Sequence, residues 1–163
     1  MKIISFLVLS MLLSIGAFAQ QPVKIYDPSA DAKSDIAAAV QLANADGKHV
    51  FLQIGGNWCP WCLRFNKFIH DDPRLDSLIK ANYVVVKVNY SKDNENRPVL
   101  ATLDYPQRFG FPVFVVLDGD GKRIHTQDSG LLEDGVGYSA NKIATMLIQW
   151  SADAIRKTKE KFK

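Results

Sequence analysis

Apolar positions along this chain change period several times, and each change marks an element. From about Ala30 to Ala45, Ile36, Val40 and Ala43 recur at helical spacing, with Asp27 or Ser29 placed to cap the start and Gly47 to end it. "HVFLQI" is a short, largely apolar run before Gly55-Gly56, the signature of a buried strand. "CPWCLRFNKFIH" reads as a helix with Pro60 at its first position, where a missing N–H costs nothing. Its inner face carries Cys62, Phe65 and Ile69. Pro73 opens a further helical turn through "RLDSLIK". "YVVVKV", Tyr83 to Val88, is the strongest strand signal, and β-branched residues on both faces predict the buried centre of a sheet.

"SKDNENRP" is a polar loop without the spacing of an EF-hand. "VLATLDYPQRFG" holds a short helix, and "PVFVVLDGDGKRIHT" is a strand, a Gly-Asp turn and a second strand. "QDSGLLEDGVGY" is a Gly-rich loop. From Ser139 one final helix puts Ile143, Leu147, Trp150 and Ala154 on a single stripe. Strands joined by helical crossovers come first, and an antiparallel hairpin follows. The class is α/β, a central mixed β-sheet flanked by helices on both faces, with no repeat and no second domain.

Composition adds a compartment. Met1-Lys2 is a short positive start, Ile3 to Ile15 is apolar apart from serines, and Ala17-Phe18-Ala19 is a small-x-small cleavage site. This predicts a signal peptide over 1–19 and a mature domain over 20–163. A membrane span needs about 20 apolar residues, so the leader is short for an anchor. Residues that are 47% hydrophobic supply a core that does not depend on disulfides. The net charge is +3, and the cations gather in "RKTKEKFK". Cations there suit a solvated last helical turn better than a nucleic-acid or anionic-membrane patch. The expectation is an exported protein, periplasmic or extracellular, monomeric, with no nucleic-acid partner and no stable membrane insertion.

The chemistry lies in "GGNWCPWCLRF", which holds both cysteines, Cys59 and Cys62. A bridge across two residues closes a tiny loop and is a poor staple. Haem attachment needs His after the second cysteine, where Leu63 stands. A zinc site needs three or four protein ligands, and the remaining candidates, His49, His70 and His125, are scattered. A copper site of two thiolates and one His stays open. A redox pair fits the local structure. Cys59 at a helix N-terminus meets unpaired N–H groups and the positive end of the dipole, which favour the nucleophilic thiolate. Cys62, one turn on and facing inward, is placed to attack a mixed disulfide on Cys59. Trp58 and Trp61 form an apolar collar around an exposed sulfur.

"FLQIGGNWCPWC", "VVVKVNY" and "FGFPVFVVLDGDGK" resemble the thioredoxin superfamily in order and spacing, over about Asp31 to Trp150. The similarity is to exported thioredoxin-like proteins akin to the soluble reductase domain of bacterial disulfide-interchange proteins. The resemblance implies that Cys59 attacks and Cys62 resolves. It implies a cis Pro112 facing the disulfide, with Phe111 offering backbone hydrogen bonds to substrate. Trp58 would border the site, and Lys87 matches a strand lysine behind the cysteines. Two features depart from the pattern. Gln53 stands where many thioredoxins have a buried Asp, so it cannot serve as their base. Pro60-Trp61 replaces Gly-Pro and looks like the Pro-aromatic pair of glutaredoxins. The implied activity is an exported thiol–disulfide oxidoreductase without a cofactor. Its partners would be protein dithiols or disulfides and an upstream thiol–disulfide electron donor. A thioredoxin-fold copper metallochaperone is the alternative.

Overall fold

A computed structural model describes residues 24–163; the expected leader and cleavage site lie outside them. Helix α1 (Ala32–Asp46) starts at Asp31, whose carboxylate accepts the amides of Lys33 and Ser34. Asp27 and Ser29, the expected caps, bond to each other instead. Gly47 ends the helix in the left-handed region at φ 64°, where a side chain is strained. Strand β1 (His49–Gly55) follows, then α2 (Pro60–Asp71) and α3 (Pro73–Asn82). Asp72 separates these two helices and caps the second. Strand β2 (Tyr83–Asn89), helix α4 (Arg97–Thr102) and a 3₁₀ turn (Pro106–Phe109) lead to the hairpin of β3 (Val113–Leu117) and β4 (Arg123–Asp128).

The sheet runs β2-β1-β3-β4, with β2 parallel to β1 and the other pairs antiparallel. All seven residues of β1 are buried, because it has a neighbour on each side and helices over each face. Val50, Leu52 and Ile54 join Ala39 and Ala43 of α1 on one side. Phe51 joins Phe65, Ile69, Leu75, Ile79, Phe114 and Leu147 on the other. Phe51 stacks on Phe114 at 5.3 Å and meets Tyr83 edge-on at 5.7 Å. Truncating such a residue to Ala costs about 3–5 kcal/mol.

The run "YVVVKV" belongs to the edge of the sheet, not its centre. Its apolar character comes from helices covering its faces. Val86 and Val88 pack into the α1 core, Tyr83 packs into the opposite one, and Val85 is 38% exposed. The final helix is also two: α5 (Ala140–Gln149) and α6 (Ala152–Lys161). His49 Nδ1 bonds the Trp150 carbonyl at 2.8 Å, and Ser151 caps α6 through the Ala154 amide. The continuous stripe therefore breaks where Trp150 stacks on His125. The Gly-rich loop contains a small ribbon of β5 (Glu133–Asp134) and β6 (Gly137–Tyr138). The basic tail is an exposed helix in which Asp153 pairs with Arg156 and Lys157, and Glu160 with Arg156. Among the described residues, no helix is long and apolar enough to cross a membrane.

Candidate active site around Cys59 and Cys62

The β1 to α2 connection delivers Cys59 as the N-cap of α2, directly before Pro60. Cys59 and Cys62 form a disulfide, with their Cα atoms 5.3 Å apart. The Cys62 amide donates to Cys59 Sγ at 3.2 Å. A first-turn helix N–H, shared with the Cys59 carbonyl at 3.1 Å, thus points at this sulfur. The sulfur is not exposed in the disulfide: Cys59 is 3% exposed and Cys62 fully buried. Ile25, Trp61 and Phe111 pack against the pair.

The two tryptophans have different neighbours, and Trp61 is the one packed against the cysteine pair. Trp58 is 55% exposed, meets Phe111 edge-on at 5.5 Å and donates its indole N–H to the Tyr90 carbonyl at 2.6 Å. Trp61 meets Tyr138 edge-on, with the Arg64 guanidinium 4.5 Å above its ring. The Phe111–Pro112 peptide is cis. The Phe111 carbonyl oxygen lies 3.6 Å from Cys59 Sγ, and its ring stacks on Tyr90 at 4.7 Å.

Behind the disulfide, Gln53 is 1% exposed and shares the Phe51 side of the sheet. Lys87, its register partner on β2, turns inward and donates to Gln53 Oε1 and, at 2.8 Å, to Asn66 Oδ1. Gln53 Nε2 donates to the Tyr26 hydroxyl at 2.8 Å and to the Cys62 carbonyl at 3.1 Å. Burial pulls the Lys87 pKa down to about 8. Burial pushes Tyr26 well above the ordinary phenol value, so it stays protonated. Lys87 also lines a cleft of about 400 Å³ with Asn66, His70, Lys80 and Tyr83.

Sequence reasoning missed Tyr26, Asn57 and Gly55. The Asn57 side chain accepts from the Ile25 and Tyr26 amides at 2.9 and 3.0 Å and donates to the Tyr26 carbonyl at 2.7 Å. It thereby straps an N-terminal arm across the site. A Cβ on Gly55 would collide with Cys62 Sγ and lie 3.0 Å from the Tyr26 hydroxyl. The stretch "KIYDPS" has no periodicity to announce such contacts, and the Gly55-Gly56 pair by itself marks only the end of a strand. The histidines have other roles: His49 holds the Trp150 carbonyl, His70 pairs with Asp76, and His125 stacks on Trp150. No group of three His, Cys, Asp or Glu is gathered as for a metal ion among the described residues.

The profile of the thioredoxin-like family matches residues 31–119. The thiol:disulfide interchange protein DsbD of Salmonella typhi is 31% identical over 81 residues, which cover 50% of this chain and 14% of that protein. DsbD of Escherichia coli K12 is 28% identical over the same length and with the same coverage. The chain therefore spans a small part of these curated relatives. A disulphide isomerase from Xylella fastidiosa Temecula1 superposes with a TM-score of 0.70 and 26% identity, over 79% of this chain and 98% of that one. The oxidised C-terminal domain of Neisseria meningitidis DsbD shares the fold, with a TM-score of 0.54 and 19% identity, over 74% and 96%. The strand order, the buried pair at the start of α2 and the matched span agree: the chain belongs to the thioredoxin-like family, among relatives named for thiol–disulfide interchange.

Proposed function

We propose that this thioredoxin-like enzyme is an exported thiol–disulfide oxidoreductase. It uses Cys59-Pro60-Trp61-Cys62 to reduce or exchange disulfides in extracytoplasmic proteins. The observation that carries this reading is the disulfide at the N-terminus of α2, with a helix amide directed at Cys59 Sγ. That amide and the helix dipole stabilise a thiolate once the pair is reduced. The Cys59 thiolate attacks a substrate disulfide, and one substrate sulfur leaves as a thiol. Cys62 then attacks Cys59 Sγ, the substrate's second sulfur leaves with the electron pair, and the Cys59–Cys62 disulfide forms. The substrate gains two electrons, and an upstream dithiol donor returns the pair to its reduced state.

Trp58, Trp61, Phe111 and Pro112 take the substrate chain, with Trp58 the exposed aromatic contact. Pro60 restrains the backbone between the sulfurs, while Gln53 and Lys87 support Cys62 from behind. The apolar leader and its cleavage site support export, with the periplasm as destination and the monomer as working unit.

Cys62→Ser is expected to trap mixed disulfides with partner proteins, and Cys59→Ser is not. Equal trapping by both variants, or by neither, sinks the reading. The reduction potential of the pair gives the direction of flow, between about −270 mV for a thioredoxin and about −120 mV for a strong oxidant.

A further inference from the structure

The hydrogen bonds behind Cys62 all run one way. Lys87 has only donors, so the Gln53 atom that it meets must be the carbonyl oxygen. The main-chain carbonyl of Cys62 only accepts, so the Gln53 atom facing it must be the amide nitrogen. Both ends fix the same orientation of the amide. The Tyr26 hydroxyl oxygen is then an acceptor from Gln53, and its own hydrogen has no acceptor among the described hydrogen bonds. A Cβ added to Gly55 would meet both Cys62 Sγ and that hydroxyl, and Tyr26 packs with Cys59 and Cys62 in one buried cluster.

We propose that, in the reduced protein, the Tyr26 hydroxyl donates to the Cys62 sulfur and stabilises its thiolate. The Gln53 amide and the Lys87 ammonium polarise that donor from behind. Tyr26 is then a catalytic residue of the resolving step, with Gln53 and Lys87 positioning it, and the proposal rests on the reading of the pair as a redox centre. A thiolate on Cys62 attacks Cys59 Sγ without first losing a proton. The bond between Cys59 and the substrate sulfur breaks, the Cys59–Cys62 bond forms, and the substrate sulfur takes the electron pair and a solvent proton.

The titratable groups about Cys62 are Cys59 on its own helix, Tyr26 from the arm, Lys87 from β2 through Gln53, and Tyr138 from β6. Beyond them stand Glu133 and Arg64 beside Tyr138, and His70 and Lys80 across the cleft from Lys87. Among the described residues, no carboxylate bonds Tyr26, Gln53 or Lys87. At neutral pH, Lys87 lies below its pKa of about 8 and carries its charge.

The test is a pH titration of the reduced protein, carrying ¹³C-labelled cysteine, without substrate. Tyr26→Phe is expected to raise the Cys62 pKa by about one to two units, the size of a hydrogen bond to a charged group. Lys87→Met raises it less, and Cys59 stays in place in both. An unmoved Cys62, or an equal movement of both cysteines, overturns the proposal. If Tyr26→Phe does not fold, Lys87→Met decides alone, and an unmoved Cys62 overturns it. Turnover plays no part in this readout. A protein with these titrations that resolves no mixed disulfide sinks the proposed activity and leaves the hydrogen-bond chain standing.

Discussion

The Asn57 side chain holds both main-chain polar groups of Tyr26, accepting its N–H at 3.0 Å and donating to its C=O at 2.7 Å. An asparagine amide can do this because it offers an acceptor and a donor side by side. Through it, the loop before Cys59 fixes the segment that carries Tyr26 against the disulfide.

Asn57→Ala removes three hydrogen bonds to residues 25 and 26. The expected loss is about 2–4 kcal/mol in denaturant unfolding, since each bond contributes about 1 kcal/mol and leaves partly buried groups unpaired. Limited proteolysis should cut the arm before the domain unfolds. A variant with wild-type stability and an uncut arm contradicts the strap.

Gly55→Ala puts a methyl group into Cys62 Sγ and against the Tyr26 hydroxyl. Gly55 ends a strand buried on both faces, so the backbone has little room to yield. The expected destabilisation is about 1–3 kcal/mol, the usual cost of overpacking. The disulfide should also be reduced faster by dithiothreitol. Unchanged stability and reduction rate would show that the neighbours give way freely.

Lys87 is held down to about 8 by burial, from an ordinary 10.5. Between these values the unfolded chain binds more protons, so this residue makes stability rise with pH from about 8 toward 10.5. Tyr26, Tyr83 and Tyr138 are pushed upward by burial and pull the other way above pH 10. The wild type should therefore gain stability relative to Lys87→Met between about pH 8 and 10. The measurement is chemical denaturation across that window, and a constant difference refutes it.

Trp58→Ala removes an exposed ring that rests edge-on against Phe111. Stability should fall by less than about 1 kcal/mol, as for most surface substitutions. Disulfide exchange with a protein substrate should slow about tenfold, because a large exposed aromatic beside the site is the kind of residue that anchors a partner. Equal slowing with a small-molecule disulfide would assign Trp58 to the chemistry rather than to docking.

The local pattern was enough for the order of elements from α1 to β4, the Gly47 stop, Pro60 at the head of α2 and Cys59 at its cap. Each of these depends on residues within one or two turns of each other. What lies behind the cysteines depends on residues far apart. Tyr26 meets Gln53 across 27 residues, and Gln53 meets Lys87 across 34. The parallel register that pairs Gln53 with Lys87 decides that the lysine turns inward. The place of "YVVVKV" at the sheet edge was equally illegible, because a strand covered on both faces by helices looks the same whether it has one neighbour or two. The split at Trp150 comes from His49, a hundred and one residues away, taking its carbonyl. Local spacing chose the chemistry of the pair, and long-range packing chose the groups that surround its buried sulfur.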